Sequence, residues 1–504
     1  MFRRSALLLR PLRTCFSSIR SSNFSSLTPT INELFTKIQT GKLQDGQEVT
    51  VHAWVRSVRK QKRIAFAQVL DGSSERLLQL VFLDVGIAAD LAPGMSVKVN
   101  GVLQATKHPT EPWEVRAESV AVVGSVPAEE PYPIQKKFMT QEHLRRDLPA
   151  IRFRTNAVAT NMRLRSKTTS AVSRFFEDNG FFQVHPPIVT SSDCEGAGEV
   201  FTVVSEASSM PFFGSKAYLT VSTQLHLEAL VMGLARVWTL TPAFRAEKSM
   251  TSRHLSEFWM LEAEIGFADS LDQIMSIVEQ LIRSIATELK EKGELDKIVT
   301  LKRAQEKQKE TTGEGEDASE VVTADRVLAR WDSLIGKEAE WIRLSYKDAI
   351  GILKEAEASG IATFDVPVDE NEGLASEHEK WLAGTHVKGP VFVTQYPKSL
   401  KPFYMLPSPL PSSTVECFDL LVPDMGELVG GSLREHDIDR LRSVIQESGI
   451  DLDSIEWYLQ LRKWGSVPHG GFGLGFERLI CYLGGVYNIR EAIAFPRWVE
   501  RCAC

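Results

Sequence analysis

The chain has 504 residues, which at roughly 150 residues per domain suggests two to four domains and a large core. Charged residues make up 24% of it and hydrophobic residues 43%, which excludes disordered, collagen-like and coiled-coil proteins. The net charge of -7 is uneven, because the first thirty residues hold five arginines and no acid. The rest is therefore strongly acidic, and a polyanionic partner would need local basic patches.

The first residues differ in composition from the rest of the chain. Arginines, a short leucine stripe (Leu7 to Leu9) and a serine-rich stretch up to Ser26 are typical of a transit peptide. We predict that residues 1–27 direct import into the mitochondrial matrix, with plastid import or a basic RNA-binding arm as alternatives. No apolar run approaches the roughly 18 residues needed to cross a bilayer, so no stable membrane association is expected. The six scattered cysteines indicate free thiols in a reducing compartment.

Short alternating stretches follow between Glu48 and Val123, separated by turns at Asp71-Gly72 and Pro93-Gly94. Five strands in some 80 residues predict a small barrel of the OB type, assigned to residues 28–130. The first strand ends in a basic run, Arg56 to Arg63, which suits contacts with phosphates of a nucleic acid.

Residues 131–504 mix helices and strands and form the second predicted domain. Ser270 and Gln273 indicate a capped helix, because apolar residues then repeat at helical spacing up to Ile285. Residues of about 290–340 are rich in lysine and glutamate, which favours a charged, mobile insertion.

Charged and aromatic residues cluster between two predicted strands that end at about Leu240 and begin at Glu257. Arg245 and Arg253 could bind a phosphate chain, since guanidinium groups match phosphate oxygens, and Phe258 could stack on a base. A surface hairpin with scattered ion pairs is the alternative.

Two further segments carry chemistry. Gly471, Gly473 and Gly475 alternate as in a strand, which would let another group lie flat against it beside Arg478. The carboxylates of Asp419 and Glu427 are of the kind that hold Mg²⁺ on a nucleotide, although a solvated surface would also explain the pair.

In order, these segments resemble the signature motifs of the class II aminoacyl-tRNA synthetases. Phe181 to Pro187 is similar to motif 1, Phe244 to Phe267 to motif 2, and Gly471 to Arg478 to motif 3. Within the class, the chain resembles the subgroup for aspartate, asparagine or lysine, whose OB-type anticodon domain precedes the catalytic domain. The resemblance implies an α+β fold: a five-stranded OB barrel, then a class II domain whose antiparallel sheet is flanked by helices. It also implies a homodimer.

The resemblance further assigns an ATP site. Arg245 and Arg478 would be the catalytic residues, Arg245 on the α-phosphate and the amino-acid carboxylate. Adenine would lie between Phe258 and Arg478, and Mg²⁺ would bind Glu427 with Asp419. The implied ATP-binding set is Arg245, Glu247, Arg253, His254, Phe258, Glu427 and Arg478.

Residues 190–201, 218–230 and 251–259 resemble the asparagine-specific members, which implies asparagine and tRNA(Asn) as partners. The implied amino-acid site is Glu195, Gln224, Glu228, Arg245 and Arg434. Departures from the family are Pro186, usually threonine, and Leu227, usually alanine. Aspartate-specific relatives have a lysine where this chain has Leu227, so Glu228 could accept the amide of asparagine and repel aspartate. The alternative is that Glu228 faces solvent or a neighbouring backbone.

The resemblance also implies that Phe66 stacks on the middle anticodon base and Gln79 bonds its edge, unless Phe66 belongs to the barrel core. The predicted tRNA-binding set is Phe66, Gln79, Arg56, Arg59 and Lys60. Three other functions stay open: an aspartate-specific synthetase, a non-catalytic RNA-binding paralogue, and an ATP-dependent amide-forming enzyme.

Overall fold

The computed structural model divides into two compact units, residues 1–135 and 136–504. The residues it describes are 27–107, 112–130, 132–134, 141–191, 200–205, 211–312, 321–336, 339–409, 413–450 and 452–504. Residues 1–26 of the predicted leader and Glu195 of the predicted amino-acid site lie outside them.

The first unit contains a closed five-stranded barrel, as predicted from the alternating pattern. Its strands pair in the order β1-β2-β3-β5-β4, and β4 pairs with β1 to close the barrel. Alternate residues such as Val51, Val69 and Leu80 are buried inside. The elements of this unit are α1 (Ile31–Gln39), β1 (Glu48–Lys60), β2 (Ala65–Leu70), β3 (Leu78–Phe82), β4 (Ser96–Ala105) and β5 (Trp113–Gly124).

The second unit is built on an eight-stranded sheet with the order β12-β13-β14-β15-β16-β11-β10-β6. It is antiparallel except for the pairs β12/β13 and β6/β10, and β7, β9 and β8 form a separate small sheet. The antiparallel class II sheet expected from the motifs is confirmed. Its strands are β6 (Phe182–Gln183), β7 (Val189–Thr190), β8 (Thr202–Val203), β9 (Ala217–Leu219), β10 (Arg236–Phe244), β11 (Glu257–Gly266), β12 (Ile342–Ser345), β13 (Val391–Thr394), β14 (Cys417–Val422), β15 (Gly426–Leu433) and β16 (His469–Gly475).

Helices flank this sheet. Within the described residues, no helix has the length and apolar character needed to cross a membrane. The helices of the second unit are α2 (Gln141–Asp147), α3 (Asn156–Asp178), α4 (Gln224–Leu234), α5 (Leu271–Glu291), α6 (Glu294–Thr312), α7 (Ala324–Ile335), α8 (Tyr346–Ala358), α9 (Ser376–Trp381), α10 (Ile438–Glu447), α11 (Leu452–Lys463) and α12 (Phe476–Gly484).

One face of the sheet is covered by the predicted capped helix, α5. Ser270 caps it by accepting the backbone N–H of Asp272, while the Gln273 side chain accepts the N–H of Asp269, one residue before the cap. The apolar residues of α5 are buried against Leu261, Phe472 and other residues that point to the same side of the sheet. The opposite face of β11, β15 and β16 is therefore the one available to a ligand.

The described part of residues 290–340 differs from the insertion expected from composition. Helices α6 and α7 occupy most of it, and Ile298, Val327, Trp331 and Leu334 belong to the main hydrophobic core. The indole N–H of Trp331 also donates to the carbonyl of Leu483, 2.9 Å away. Composition misled the expectation because α7 carries one narrow apolar stripe among many charges.

We expect Trp331→Ala to destabilise the second unit by about 3–5 kcal/mol, because it empties a fully buried site. Thermal unfolding would measure this as a lower Tm. Leu328→Ala on the same helix is the matched control, since Leu328 is 38% exposed and its loss should change Tm little. Equal effects of the two changes would show that α7 is not part of the core.

Candidate active site

The open face of the sheet carries a floor of glycines at its centre. Gly473 of β16 lies opposite Gly430 of β15, and both lack a side chain on the face where β11 presents Phe258, Glu262 and Glu264. A Cβ on Gly473 would point at the Met260 sulfur, 3.5 Å away. The alternation of glycines predicted a surface on which a group can lie flat, and the register of the three strands produces one.

Gly471 has a different reason to lack a side chain. A Cβ there would lie 2.1 Å from a carboxylate oxygen of Glu264 and 2.2 Å from the carbonyl of Ala263. Only glycine therefore allows Glu264 to cross β16 at this point.

The segment between β10 and β11 brings several predicted nucleotide-binding residues together. The Arg245 guanidinium lies 5.6 Å from the centre of the Phe258 ring and 4.0 Å from Glu247. Glu247 in turn lies 3.7 Å from Nε2 of His254. Burial and the charges of Arg478, Arg253 and Arg245 lower the pKa of His254, against the opposing effect of Glu247. The three predicted phosphate-binding arginines thus all lie close enough to His254 for their charges to act on it.

Two of these arginines are held by backbone groups of β15 and of the turn before it. Arg253 donates to the carbonyl of Met425 and to the hydroxyl of Ser376. Arg478, in the first turn of α12, donates to the carbonyl of Glu427 at 2.9 Å and to its carboxylate at 3.3 Å. Both arginines line one cavity of about 60 Å³, so they can act on the same anion.

Glu477 fixes the start of α12 in this position. It is buried, it accepts from Arg165 at 2.7 Å, and it accepts the backbone N–H of Trp259 at 2.9 Å. These contacts hold the start of α12, and with it the end of β16, against β11 and α3 beside Phe258. A lone glutamate in a helical turn carries no local signal, so sequence analysis missed this role.

The predicted metal-binding carboxylates lie on either side of Gly430. A Cβ built on Gly430 would be 3.5 Å from an oxygen of Asp419 and 3.5 Å from an oxygen of Glu427. Lys401 donates to both oxygens of Asp419, at 2.7 and 3.0 Å. The absent side chain leaves a cradle between two hard oxygen donors, which fits the ligand preference of Mg²⁺.

A third carboxylate, Glu379 of α9, adjoins this pair and was not predicted. It accepts the backbone N–H of Glu427 at 3.1 Å. Burial, together with the negative charges of Glu427 and Asp419, raises the pKa of Glu379 to about 7. Glu379 therefore keeps its proton to a higher pH than an ordinary glutamate does.

Gln224 and Glu228 begin α4 at the other end of the glycine floor. Glu262 of β11 anchors the start of this helix by accepting from the hydroxyl of Ser222 at 2.5 Å and from the backbone N–H of Thr223 at 3.0 Å. The amide of Gln224 donates to Glu228 at 3.0 Å. The sheet thus positions the first turn of α4 through a residue that sequence analysis did not single out.

Glu228 is fully buried, so the alternative that it faces solvent is wrong. Its second oxygen accepts from Tyr458 at 2.7 Å, Arg462 at 2.6 Å and His469 at 3.1 Å. Burial alone would raise the pKa of Glu228, but Arg462, His469 and Arg434 together hold it below its usual range. This network keeps a negative charge beneath Gln224.

Arg434 is the remaining predicted residue of this site. It binds Glu264 in a bidentate manner, with both distances 3.0 Å, and lies 3.9 Å from Glu228. Ligand atoms of Glu228, Glu264 and His469 lie within 4.8 Å of one another. The guanidinium groups of Arg434 and Arg462 already balance the two carboxylates, so the cluster fits a polar binding pocket better than a cation site.

Three of the predicted RNA-binding residues, Arg59, Phe66 and Gln79, lie on the outer face of β1, β2 and β3. Phe66 pairs in register with Arg59 and with Val81, two residues from Gln79. Its neighbours Ala65 and Ala67 point inward and are buried, whereas Phe66 is not part of the barrel core. The alternative placement of Phe66 in the core is therefore wrong.

Three members of the predicted RNA-binding set have partners inside the first unit. Gln79 donates to Glu114 at 3.0 Å, Arg56 to the carbonyl of Ile134 at 3.4 Å, and Lys60 to the carbonyl of Ala89 at 2.5 Å. A nucleic acid would have to compete for these contacts.

The fold is that of a class II synthetase, and comparisons with known proteins agree. Residues 141–499 match the family of tRNA synthetases class II (D, K and N), and residues 49–123 match the OB-fold nucleic acid binding domain. The mitochondrial asparagine–tRNA ligase of Saccharomyces cerevisiae is 42% identical over 462 residues, which cover 89% of this chain and 92% of that protein. The asparaginyl-tRNA synthetase of Mus musculus is 41% identical over 470 residues, 92% of each chain.

Among solved structures, the asparaginyl-tRNA synthetase of Pyrococcus horikoshii complexed with asparaginyl-adenylate is similar, with a TM-score of 0.76 and 32% identity. The match covers 91% of this chain and 96% of that one. The chain therefore belongs to the class II tRNA synthetases and, within them, to the asparagine–tRNA ligase family.

Glu379 generates a prediction about pH. Its pKa is raised from 4.5 in the unfolded chain to about 7, so the folded state binds the proton more tightly and loses stability as pH rises between these values. We expect Glu379→Gln, which mimics the neutral acid, to gain up to about 3 kcal/mol over the parent protein at pH 8 and almost nothing near pH 4.5.

Thermal unfolding in buffer with a chelator would measure this difference in Tm across pH. Glu377→Gln on the same helix is the control, because backbone N–H groups of Asp365 and Val366 lower the pKa of Glu377. A difference between Glu379→Gln and the parent that does not change with pH would contradict the account.

Proposed function

We propose that this protein ligates asparagine to tRNA(Asn) in two steps at the site on the glycine floor. A carboxylate oxygen of asparagine attacks the α-phosphorus of ATP, and pyrophosphate leaves. The 3'-terminal ribose hydroxyl of the tRNA then attacks the carbonyl carbon of the mixed anhydride, and AMP leaves. The observation that carries this proposal is the convergence of Arg245, Arg253 and Arg478 beside a flat, side-chain-free surface that continues into a polar pocket.

Positioning and charge stabilisation suffice for the first step, because the reaction forms no covalent bond to the protein. Arg245 would hold the α-phosphate and the asparagine carboxylate, and Arg253 and Arg478 the outer phosphates. Phe258 would carry the adenine, with Arg478 on its other face and Glu247 and His254 at its edge. The strand register supports this order, because Phe258 lies at the end of the floor that Arg478 adjoins.

Asp419 and Glu427 would hold Mg²⁺, which supplies charge neutralisation for the phosphates when bound. Lys401 keeps Asp419 oriented and partly neutralised, so Glu427 is the freer of the two carboxylates. Arg478 donates to that same carboxylate, so both side chains would lie next to the phosphates.

Asparagine would lie at the other end of the floor, with its ammonium group near Gln224 and Glu195 and its side-chain amide near Arg434 and Glu228. The buried charges support selection of the amide. Leu227 supplies no cation for a second carboxylate, and the negative Glu228 would repel aspartate.

Binding of tRNA would use the outer face of the barrel, where Phe66 stacks on a base and Arg59 meets the backbone. The proposed setting is the mitochondrial matrix, which the leader-like composition of residues 1–26 and the mitochondrial relatives support. A homodimer through motif 1 is also proposed, since Phe182, Ile188 and Val189 of that region are exposed apolar residues.

The experiment that tests the proposal is aminoacylation of organellar tRNA(Asn) with radiolabelled asparagine or aspartate. We expect charging with asparagine only. Charging with aspartate at a comparable rate would support the aspartate-specific alternative. ATP and tRNA binding without charging would support a non-catalytic RNA-binding protein, and ATP-dependent amide formation without charging would support an amide-forming enzyme.

Gly473→Ala should leave the fold intact and reduce adenylate formation by about a hundredfold, because a methyl group would lift the ligand from the floor. The new Cβ would be 3.5 Å from the Met260 sulfur, an ordinary contact. Asparagine-dependent exchange of pyrophosphate into ATP measures the loss. Gly351→Ala, where a Cβ meets nothing within 4 Å, should keep full activity.

We expect Glu228→Gln to lower the ratio of kcat/KM for asparagine over aspartate by at least about tenfold while changing the KM for ATP less. The reason is loss of the negative charge beneath Gln224. Tyr458→Phe removes one donor to Glu228 and keeps its charge, so it should largely preserve the ratio. An unchanged ratio in a folded Glu228→Gln protein would rule out this role for Glu228.

A further inference from the structure

Lys380, at the end of α9, lines the same cavity of about 60 Å³ as Arg253 and Arg478. Neither the motifs nor the predicted site includes this residue. Within the described parts of the chain, its amine has no hydrogen-bond or ion-pair partner, although the residue is only partly exposed. The amine is therefore available to an anion that enters the cavity.

The charges around Lys380 favour binding of an anion next to its amine. Burial and the nearby Arg253 lower the pKa of Lys380, and Asp424 and Glu379 only partly offset this. Asp424 is already bound by Arg330 at 3.0 Å and by Arg326 at 2.7 Å. Four cationic side chains line the cavity. Arg330 is paired with the one lining carboxylate, Asp424, and the other three are Arg253, Lys380 and Arg478.

We propose that Lys380 is a third cationic ligand for the phosphate tail of ATP and for the pyrophosphate that leaves it. A phosphate chain supplies the acceptors that the amine lacks and relieves its repulsion by Arg253. This inference rests on the proposed function, because it places the outer phosphates in the cavity beside Arg253 and Arg478.

The position of α9 supports a role at the phosphates. Ser376 of this helix accepts from Arg253, and Glu379 accepts the N–H of Glu427. Helix α9 therefore contacts both Arg253 and β15. His378 ties the helix to the preceding segment through the carbonyl of Val366, 2.9 Å from Nε2. These contacts fix the position of α9, and therefore of the Lys380 backbone, beside the cavity.

The test compares Lys380→Ala, Lys380→Arg and Lys354→Ala with the parent protein. Lys354→Ala is the matched control, since it removes an exposed lysine from α8. We expect Lys380→Ala to raise the KM for ATP in pyrophosphate exchange and the Kd for inorganic pyrophosphate, each about tenfold, with the KM for asparagine unchanged. Lys380→Arg should retain most of the parent protein's affinity for both ATP and pyrophosphate. Calorimetric titration with pyrophosphate alone measures the second constant without catalysis.

The outcomes separate the possible explanations. A rise in the KM for ATP alone would restrict Lys380 to substrate binding, and a rise in the Kd for pyrophosphate alone would restrict it to the leaving product. Unchanged constants for both ligands, in a parent protein that catalyses exchange, would overturn this inference and leave the proposed function standing. Absence of exchange in the parent protein would instead contradict the proposed function.

Discussion

The proposed site depends on close approach between backbone and ligand on one face of an antiparallel sheet. Gly430 and Gly473 face each other at the centre of that sheet, and each leaves a space that a side chain would fill. Strand register then places Phe258 at one end of this surface and Glu264 at the other. A shift of β16 by one residue would turn Gly473 toward the core and Phe472 toward the ligand.

Around this surface the protein maintains two groups of charges with different surroundings. At one end, Arg253 and Arg478 are partly exposed and donate to the backbone carbonyls of residues 425 and 427, so they are available to an anion. At the other end, Glu228, Glu264, Arg434 and Arg462 are buried and balance one another. Removing water from such a network is costly, so its retention fits a need for a fixed polar pocket rather than for stability.

Much of the fold and part of the site could be predicted from the sequence. The barrel strands alternate with period two, α5 has a continuous apolar stripe, and the glycines of β16 alternate, so each has a local signal. Arg245 and Arg253 could be predicted because they lie in a cluster of charged and aromatic residues between two predicted strands. Helix α7 was missed, because its buried Trp331 lies in a segment whose average composition is polar.

Single polar residues inside regular elements were the other class that sequence reasoning missed. In the sequence, nothing distinguishes Glu262, Glu379 and Glu477 from solvated glutamates. In the structure, each accepts a backbone N–H from a distant segment near the site. Lys380 is of the same kind. Their partners lie tens to hundreds of residues away, so only three-dimensional packing identifies them.

A crystal structure of the protein with a non-hydrolysable analogue of asparaginyl-adenylate tests the central claim most directly. We expect the purine on Phe258, the phosphate mimic at Arg245, the ribose against Gly430 and Gly473, and the carboxamide at Arg434. An analogue whose purine and carboxamide do not span this glycine surface would contradict the account.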